Sequence, residues 1–539
     1  MADVNPPLDG RPIDGSVHAA SAWAELEDLS EGPSPSLRDL FAGDPARDDR
    51  LGVECADLWV GLSRQHLTYE VLGHLHVLAR QRRVTDTLTG VLLGEAVNGS
   101  EDRAAVHGAL RARDRSPSGP GVEEAFATFD RMADLAESIR SGKATGATGQ
   151  RITALVQLGI GGSHLGPALV TDALRHLAHP DVTIRFSAGI DADDLDEALH
   201  GLDPASTLVV ACSKSFTTIE TLTALDGALA WLTIGVGDRA MDHVLAVTAA
   251  PDRARDHGIG DDRILEIPLA VGGRFSVGSA VGLPVMVAIG PDAFDELLAG
   301  MRVVDSLSAG LPVEENAAVL LALVDVWNHG HLGRGSVAVV PYAHRLRRFT
   351  PWLQQLSMES LGKRVCQNGS DPETPTGAVI WGATGTDAQH AFFQFLHQGT
   401  DVVPVDFIGV ARPAVDDDRS RKGAEVLMTN LAAQADALAF GRTADEVRAD
   451  GVDENLVAHR TFPGDRPSTA ILLPELTPST LGQLMALYEN RTVATAALLG
   501  INPFDQWGVE LGKQMALDLA EGTAPASELL RRARSLREG

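Results

Sequence analysis

From Arg151 onward, short apolar segments alternate with longer segments of helical periodicity, and this alternation constrains the fold more than any other feature. Strands that alternate with helices in this way form parallel sheets with helices on both faces. The alternation pauses in a helical stretch at 291–330 and then begins again, which predicts two sheets. We predict strands at 152–160, 182–188, 206–212, 243–249 and 263–268 for the first sheet and at 336–342, 377–382, 401–408 and 468–474 for the second.

The predicted fold class is therefore α/β, with two doubly wound parallel-sheet domains of the αβα type. We expect these domains at 151–290 and 291–515. Residues 1–150 show helical spacing of apolar side chains and no strong strand pattern, so a helical N-terminal segment is expected there. The last residues, 516–539, are expected to form a C-terminal helical arm.

Composition argues against several classes of protein. The chain carries 73 acidic and 45 basic side chains, a formal net charge of −28, and such a field repels nucleic acids and anionic membrane surfaces. The first residues, MADVNPPLDG, lack the features of a signal peptide, and no run approaches the ~18 apolar residues of a membrane span. Three widely spaced cysteines, Cys55, Cys212 and Cys366, indicate reduced thiols. We expect a cytoplasmic protein that binds no nucleic acid, membrane or metal.

Two segments that follow predicted strands are suited to binding an anion. In LGIGGSHLGP, the backbone at Gly162 and the hydroxyl of Ser163 stand at the start of a predicted helix. In ACSKSFTTIET, Lys214 is surrounded by hydroxyl groups, and this combination suits a phosphate monoester. A tight turn in the first segment and an ordinary helix cap in the second are the alternatives. The hydroxyl groups are those of Ser213, Ser215, Thr217 and Thr218.

Two further segments carry groups suited to acid–base chemistry. Arg274 follows two glycines, and a guanidinium held by a tight loop suits an oxyanion. Glu359 falls in the last turn of a helix predicted to begin at Thr350-Pro351 and to end at Gly362. The helix dipole disfavours a carboxylate there, which suits a general base. Taken singly, each segment is better explained by an arginine on a surface turn and by an ordinary surface glutamate near Lys363.

The last two segments contain a histidine and a lysine. GTDAQHAFFQFLHQGT predicts a helix that is capped by Thr386, ends at Gly399 and has His390 in its first turn, where a neutral imidazole is favoured. NPFDQWGVELGKQMA places Gln506 and Lys513 seven residues apart, and therefore on one face of a predicted helix. Taken alone, His390 is also typical of a structural histidine in a helix, and Lys513 is also typical of a solvated lysine.

Taken together, these segments resemble the glucose-6-phosphate isomerase (phosphoglucose isomerase) family. SKSFTTIET, GGRFS, QQLSMESLGKRV, GTDAQHAFFQFLHQGT and FDQWGVELGKQ occur in the family's order, from about residue 151 to 516. The resemblance implies two sugar-isomerase-type (SIS) domains, with the N-terminal segment packed on the second. It also implies interconversion of glucose 6-phosphate and fructose 6-phosphate through a cis-enediol, without a cofactor, in a cytoplasmic homodimer whose active sites are shared between subunits.

The resemblance also implies roles for individual residues. Glu359 matches the group that moves the proton between C1 and C2, and Arg274 the group that stabilises the enediolate. His390 and Lys513 match the residues that assist ring opening, and Glu220 a carboxylate that orients the histidine. The matching substrate-binding positions are Gly162, Ser163, Ser213, Lys214, Ser215, Thr218, Gln355 and Gln506.

The chain departs from the family pattern at several positions. His164 stands where Asp is common, Ser215 where Thr is usual, and Gly278 where Trp is frequent. Leu356 and Ser357 replace the Gly-Asp pair that usually precedes Met-Glu-Ser. These changes leave the proton-transfer groups in place and bear on the packing of the loops around Glu359.

Two other functions fit the same residues. A sugar-phosphate sensor on this fold would bind without turnover, although sensing alone does not need the acid–base residues. An isomerase of broader range would also accept mannose 6-phosphate. Assay of turnover with purified protein separates these alternatives.

Overall fold

The structure is a computed structural model that describes residues 20–112, 119–525 and 527–538. Contacts divide the described residues into a large unit that ends at Pro503 and a C-terminal unit that begins at Phe504. The strands are β1 (Gly52–Cys55), β2 (Leu58–Gly61), β3 (Ala154–Leu158), β4 (Thr183–Ser187), β5 (Thr207–Cys212), β6 (Val244–Thr248), β7 (Ile264–Glu266), β8 (Ser336–Pro341), β9 (Val379–Trp381), β10 (Val405–Val410) and β11 (Ser468–Leu473). All nine strands predicted from the sequence are present.

The helices are mostly short, and several follow a strand after a brief loop. The α-helices are α1 (Ser21–Glu31), α2 (Leu37–Gly43), α3 (Arg47–Arg50), α4 (Tyr69–Gln81), α5 (Val84–Leu93), α6 (Val122–Arg140), α7 (Gly162–Ala173), α8 (Ala192–Leu199), α9 (Ile219–Val236), α10 (Pro251–Asp256), α11 (Leu283–Ile289), α12 (Pro291–Gly310), α13 (Ala317–Asp325), α14 (Phe349–Leu353), α15 (Gly385–Gln389), α16 (Phe393–Gln398), α17 (Asp418–Phe440), α18 (Ala444–Ala449), α19 (Glu454–Arg460), α20 (Pro478–Leu499), α21 (Glu510–Glu521) and α22 (Glu528–Glu538). Two π-helical turns occur at Val326–His331 and Gln354–Glu359. Turns of 3₁₀ helix occur at Ala109–Arg111, Arg175–Leu177, Pro204–Ser206, Gly237–His243, Asp261–Arg263, Gly273–Phe275, Ala280–Gly282, Val313–Glu315, His344–Leu346 and Trp507–Val509.

The first sheet has five parallel strands in the order β4-β3-β5-β6-β7. Every residue of β3 and β5 is buried, as expected for central strands that are covered on both faces. The chain passes from β3 to β4 on one side and then returns to β5 on the other, so the strand order reverses between β3 and β5. Ligands of open α/β sheets bind outside the carboxyl ends of the strands at such a point. Both segments with predicted anion-binding groups begin there.

The second sheet contains four parallel strands and an antiparallel hairpin, in the order β1-β2-β11-β10-β8-β9. Its strand order reverses at β8, because β9 lies on one side of β8 and β10 on the other. The segment that follows β8 contains Glu359, which places the predicted base on the connection that leaves this second reversal point.

The hairpin of β1 and β2 is an element that the sequence did not predict. Residues 1–150 were expected to be helical, but β2 pairs with β11 and adds two strands to the second sheet. Each strand has only four residues, which is too short for a clear alternating pattern. Ala56, between the strands, has φ +53°, which permits the tight reversal. The four predicted regions of the chain otherwise stay predictions.

The segment Ile219–His243 reaches the length and mean hydropathy, 1.3, of a membrane-spanning helix, contrary to the expectation that no segment would. Within the fold, α9 covers the first sheet, and Leu225, Ala228 and Leu232 are buried in the same core as Val156 of β3. A helix that covers a buried parallel sheet needs an apolar face of this kind. Packing therefore accounts for the apolar character of that face.

Helix α20 is buried along nearly its whole length and carries two charged groups into the interior. Arg491 forms ion pairs with Asp325 at 2.5 Å and with Asp406 at 2.6 Å. Glu489 pairs with the buried Arg111, which also contacts Asp305 at 2.9 Å. Because buried charges are tolerated only when they are paired, these contacts fix how α20 packs against its neighbours.

Candidate active site

The turn between β3 and α7 is shaped by glycine. Gly161 has φ +60°, a conformation that favours glycine. A Cβ atom on Gly162 would lie 2.1 Å from the backbone of Gly273, so only glycine allows this turn to approach the Arg274 segment. Ser163 lies in the first turn of α7, where the backbone amides and the helix dipole favour an anion.

The loop after β5 places hydroxyl groups at the start of α9. Thr218 occupies the N-cap position of α9, but its Oγ1 pairs with Ser213 Oγ at 2.9 Å and does not cap the helix. Ser215 Oγ pairs with Thr217 Oγ1 at 2.7 Å. The predicted phosphate-binding hydroxyl groups are therefore brought together at a helix N-terminus.

Lys214 extends from the same loop into a partly buried position. Its Nζ donates a hydrogen bond to the backbone oxygen of Val271 at 2.9 Å. Burial lowers the pKa of the Lys214 ammonium to about 8, an effect that Glu101 opposes and that Arg103 and Arg274 reinforce. This lysine therefore titrates close to neutral pH.

Arg274 and Glu359 form the ion pair at the centre of the candidate site. Arg274 Nη1 lies 3.2 Å from Glu359 Oε2, and the guanidinium is buried whereas the carboxylate is about one-fifth exposed (19%). Arg274 Nε donates to the hydroxyl of Ser360 at 2.6 Å, and Nη2 donates to the backbone oxygen of Pro503. The structure thus brings the predicted base and the predicted oxyanion-stabilising group into direct contact.

The helix that carries Glu359 begins at Phe349 and continues to Leu361, close to the predicted start at Thr350-Pro351. Gly362 N donates to Met358 O at 2.9 Å directly after its end, which confirms the predicted stop. The sequence did not predict that the turn Gln354–Glu359 is a π-helix. Such turns are rare and occur frequently at functional sites.

Gln355 on this π-turn, which follows β8 of the second sheet, lies against the glycine turn that follows β3 of the first sheet. A Cβ on Gly161 would lie 2.9 Å from Gln355 Nε2, so the amide lies directly over the glycine turn. Gln355 Oε1 is buried and has no hydrogen-bond partner among the described residues. Ser357 is buried on the same helix and lines a cavity of about 40 Å³.

His390 does not lie where the sequence predicted. The expected single helix is two helices, α15 and α16, and the N-cap of α15 is Thr384, not Thr386. His390 occupies the C-cap position of α15, so the argument that a positive helix end favours a neutral imidazole does not apply. The ring is exposed, and it forms no hydrogen bond with Glu220 within the chain's described residues.

Gln506 and Lys513 both lie in the C-terminal unit. Lys513 is exposed on α21, whereas Gln506 precedes the 3₁₀ turn Trp507–Val509 with φ −155°. The two residues therefore do not share one helical face, because the α-helix begins only at Glu510. Their assignment to the active site stays a prediction.

Two positions that depart from the family pattern have a clear structural setting. His164 stacks on Phe186 with ring centroids 5.7 Å apart, and burial lowers the pKa of its imidazole. A Cβ on Gly278 would lie 3.2 Å from Leu298 and 4.0 Å from Arg111 Nε, so the space beside Gly278 is filled by these two side chains.

The geometry defines a class of α/β protein in which a loop rich in hydroxyl groups comes from one parallel sheet and a carboxylate–guanidinium pair joins that sheet to a second one. The family model for phosphoglucose isomerase matches residues 61–530. The chain is 48% identical to glucose-6-phosphate isomerase 1 of Streptomyces avermitilis over 92% of each sequence. It is 46% identical to glucose-6-phosphate isomerase of Anaeromyxobacter dehalogenans over 98% of this chain and 96% of that one.

Comparison with a solved structure indicates the same family as these sequence relatives. The crystal structure of a glucose-6-phosphate isomerase from Chlamydia trachomatis superposes with a TM-score of 0.83 at 30% identity and covers 96% of this chain and 98% of that one. The chain belongs to the phosphoglucose isomerase family. The family and the isomerase class predicted from the sequence are thereby confirmed.

Proposed function

We propose that this chain interconverts D-glucose 6-phosphate and D-fructose 6-phosphate by ring opening and proton transfer through a cis-enediol. The observation that carries the proposal is the Glu359–Arg274 pair, in which a partly exposed carboxylate lies 3.2 Å from a buried guanidinium. An aldose–ketose isomerisation needs a base for a carbon-bound proton and a fixed positive charge for the oxygen that becomes negative.

The phosphate group would bind in the first sheet at the point where the strand order reverses, between β3 and β5. Lys214 supplies an ammonium, the hydroxyl groups of the same loop supply hydrogen bonds, and the start of α9 supplies free backbone amides. Gly162 and Ser163 complete this site from the neighbouring turn. The binding hydroxyl groups are those of Ser213, Ser215 and Thr218.

Proton transfer would take place in the second sheet at β8, where its strand order reverses. Glu359 accepts the proton from C2 of the open-chain aldose and returns it to C1, while the hydroxyl proton of O2 passes to O1. Arg274 stabilises the negative charge on the enediolate oxygen during this transfer. Gln355 Nε2 lies over the glycine turn, and Oε1 of the same amide, which has no hydrogen-bond partner among the described residues, is suited to accept a hydrogen bond from a sugar hydroxyl.

Ring opening is assigned to His390 and Lys513, with Gln506 lining the site and Glu220 orienting the histidine. The exposure of His390 and Lys513 leaves both able to reach a substrate. We further propose a cytoplasmic homodimer in which His390 serves the site of the other subunit. The acidic chain is expected to bind sugar phosphates as substrates and no nucleic acid, membrane or cofactor.

The test is turnover of fructose 6-phosphate by purified protein, with formation of glucose 6-phosphate followed by a coupled dehydrogenase. Glu359→Gln keeps the shape of the side chain but cannot accept a proton, so kcat should fall by several orders of magnitude while substrate still binds. Glu425→Gln, an exposed change on α17, is the matched control and should leave kcat unchanged.

Binding of sugar phosphate without turnover by the wild type would indicate a sensor and refute the proposal. Near-normal turnover by Glu359→Gln would show that another residue acts as the base. Mannose 6-phosphate is assayed in parallel, because turnover of this substrate would define a broader isomerase.

A further inference from the structure

The guanidinium of Arg274 is held along two of its edges by consecutive residues of one helix. Nη1 faces the carboxylate of Glu359 at 3.2 Å, and Nε donates to the hydroxyl of Ser360 at 2.6 Å. Nη2 donates to the backbone oxygen of Pro503. Three separate nitrogens of one planar group are therefore bound by groups of fixed position.

The Ser360 hydroxyl is a buried group that accepts its hydrogen bond from this guanidinium. Ser360 has no exposed surface (0%), so water cannot replace its oxygen as the acceptor. A carboxylate alone allows a guanidinium to rotate in its plane or to shift toward a bidentate contact. The contact at Nε opposes that movement, because the donor directions of a planar guanidinium are fixed relative to one another.

We propose that Ser360 is a positioning residue for the isomerisation, which acts by holding Arg274 so that the guanidinium meets both Glu359 and the enediolate oxygen. It acts through Arg274 and not on the substrate. The inference rests on the proposed function, and it predicts an effect on the transition state in which the oxyanion forms.

The first test compares two serine hydroxyl groups of the same helix. Ser360→Ala should lower kcat roughly tenfold to a hundredfold, the effect of losing a hydrogen bond to a charged group, with KM for fructose 6-phosphate little changed. Ser357→Ala is the control, since Ser357 is also buried but lines the cavity of about 40 Å³ and, in the part of the chain that the structure describes, forms no hydrogen bond with Arg274. Its kcat should stay near that of the wild type.

The second test is a double-mutant cycle with Arg274→Lys. Lysine keeps the charge but has no Nε–H to donate to Ser360, so the hydroxyl loses its function in this background. Ser360→Ala added to Arg274→Lys should change kcat by no more than about twofold. If turnover by these variants is too slow for the coupled assay, the same proton transfer can be measured by NMR as the uptake of deuterium from solvent at C2 of the sugar.

A merely structural role predicts a different pattern. Ser360→Ala would then lower kcat by the same factor in both backgrounds, and this additivity would overturn the inference. An unchanged kcat in Ser360→Ala would also overturn it. If the alanine variant does not fold, Ser360→Cys keeps a side chain of similar shape with a weaker acceptor and goes through the same cycle. Failure of the wild type to turn over sugar phosphate would instead refute the proposed function.

Discussion

Substrate capture should depend on the ionisation of Lys214. Burial lowers the pKa of this ammonium to about 8, so it is mostly charged at neutral pH and mostly neutral at pH 9. Only the charged form attracts the phosphate group. The phosphate of a sugar ester has its second pKa near 6, so the ligand is fully ionised throughout the alkaline range.

The magnitude follows from this pKa and from the strength of the contact. One pH unit above 8, about a tenth of the protein carries the charged lysine, so kcat/KM should fall about tenfold for each further unit. Loss of a hydrogen bond from a charged group costs about 1.5–3 kcal/mol, so Lys214→Gln should lower kcat/KM roughly tenfold to a hundredfold at pH 7.

The assay is kcat/KM for fructose 6-phosphate between pH 7 and pH 9.5. The wild type should show an alkaline decline with a midpoint near 8, whereas Lys214→Gln should lose that decline because it has no group to titrate. Lys143→Gln removes an exposed lysine of the same chain and should behave like the wild type. A decline of equal size in Lys214→Gln, or a flat wild-type profile, would refute the assignment.

Three further results are expected. An excess of chelator should leave turnover unchanged, since no cluster of three potential metal ligands occurs in the described part of the chain; activity that is lost and then restored by a divalent ion would contradict this. Mixing inactive Glu359→Gln and His390→Ala should restore roughly a quarter of wild-type activity after subunit exchange, because half of the dimers then contain one intact site of two; no recovery after exchange verified by native mass spectrometry would refute a shared site. Arg111→Met should lower the free energy of unfolding by about 3–5 kcal/mol, measured by urea denaturation, because it leaves Asp305 and Glu489 buried without their partner; a loss below about 1 kcal/mol would show that water reaches the cluster.

The strands and their alternation with helices could be predicted from the sequence because buried parallel strands are continuous apolar segments. The β1–β2 hairpin could not, since each strand has only four residues, too few for a clear alternating pattern. The two helices around His390 were predicted as one. Ala391 and Phe392, which separate α15 from α16 together with His390, are not turn-forming residue types, so the sequence pattern does not indicate the break.

In the candidate site, too, some features could be predicted from the sequence and others could not. Local spacing placed Glu359 in a last helical turn and Lys214 in a hydroxyl-rich loop, and both placements hold. The contact of Arg274 with Ser360 joins residues 86 positions apart, so no local pattern contains it. The π-turn at Gln354–Glu359 is likewise not predictable from apolar spacing, because over a single turn that spacing does not distinguish π-helical from α-helical hydrogen bonding.

The two reversal points explain why this site needs both sheets. In the proposed site, one sheet supplies the helix start that would bind the phosphate, and the other supplies the helix that carries Glu359. A substrate that bridges them is held at a fixed distance only if the sheets cannot separate. Gly162 against Gly273, and Gln355 over Gly161, are the contacts that set this spacing. Both contacts depend on the lack of a side chain, so Gly161 and Gly162 would also set the distance between the proposed phosphate-binding and proton-transfer groups.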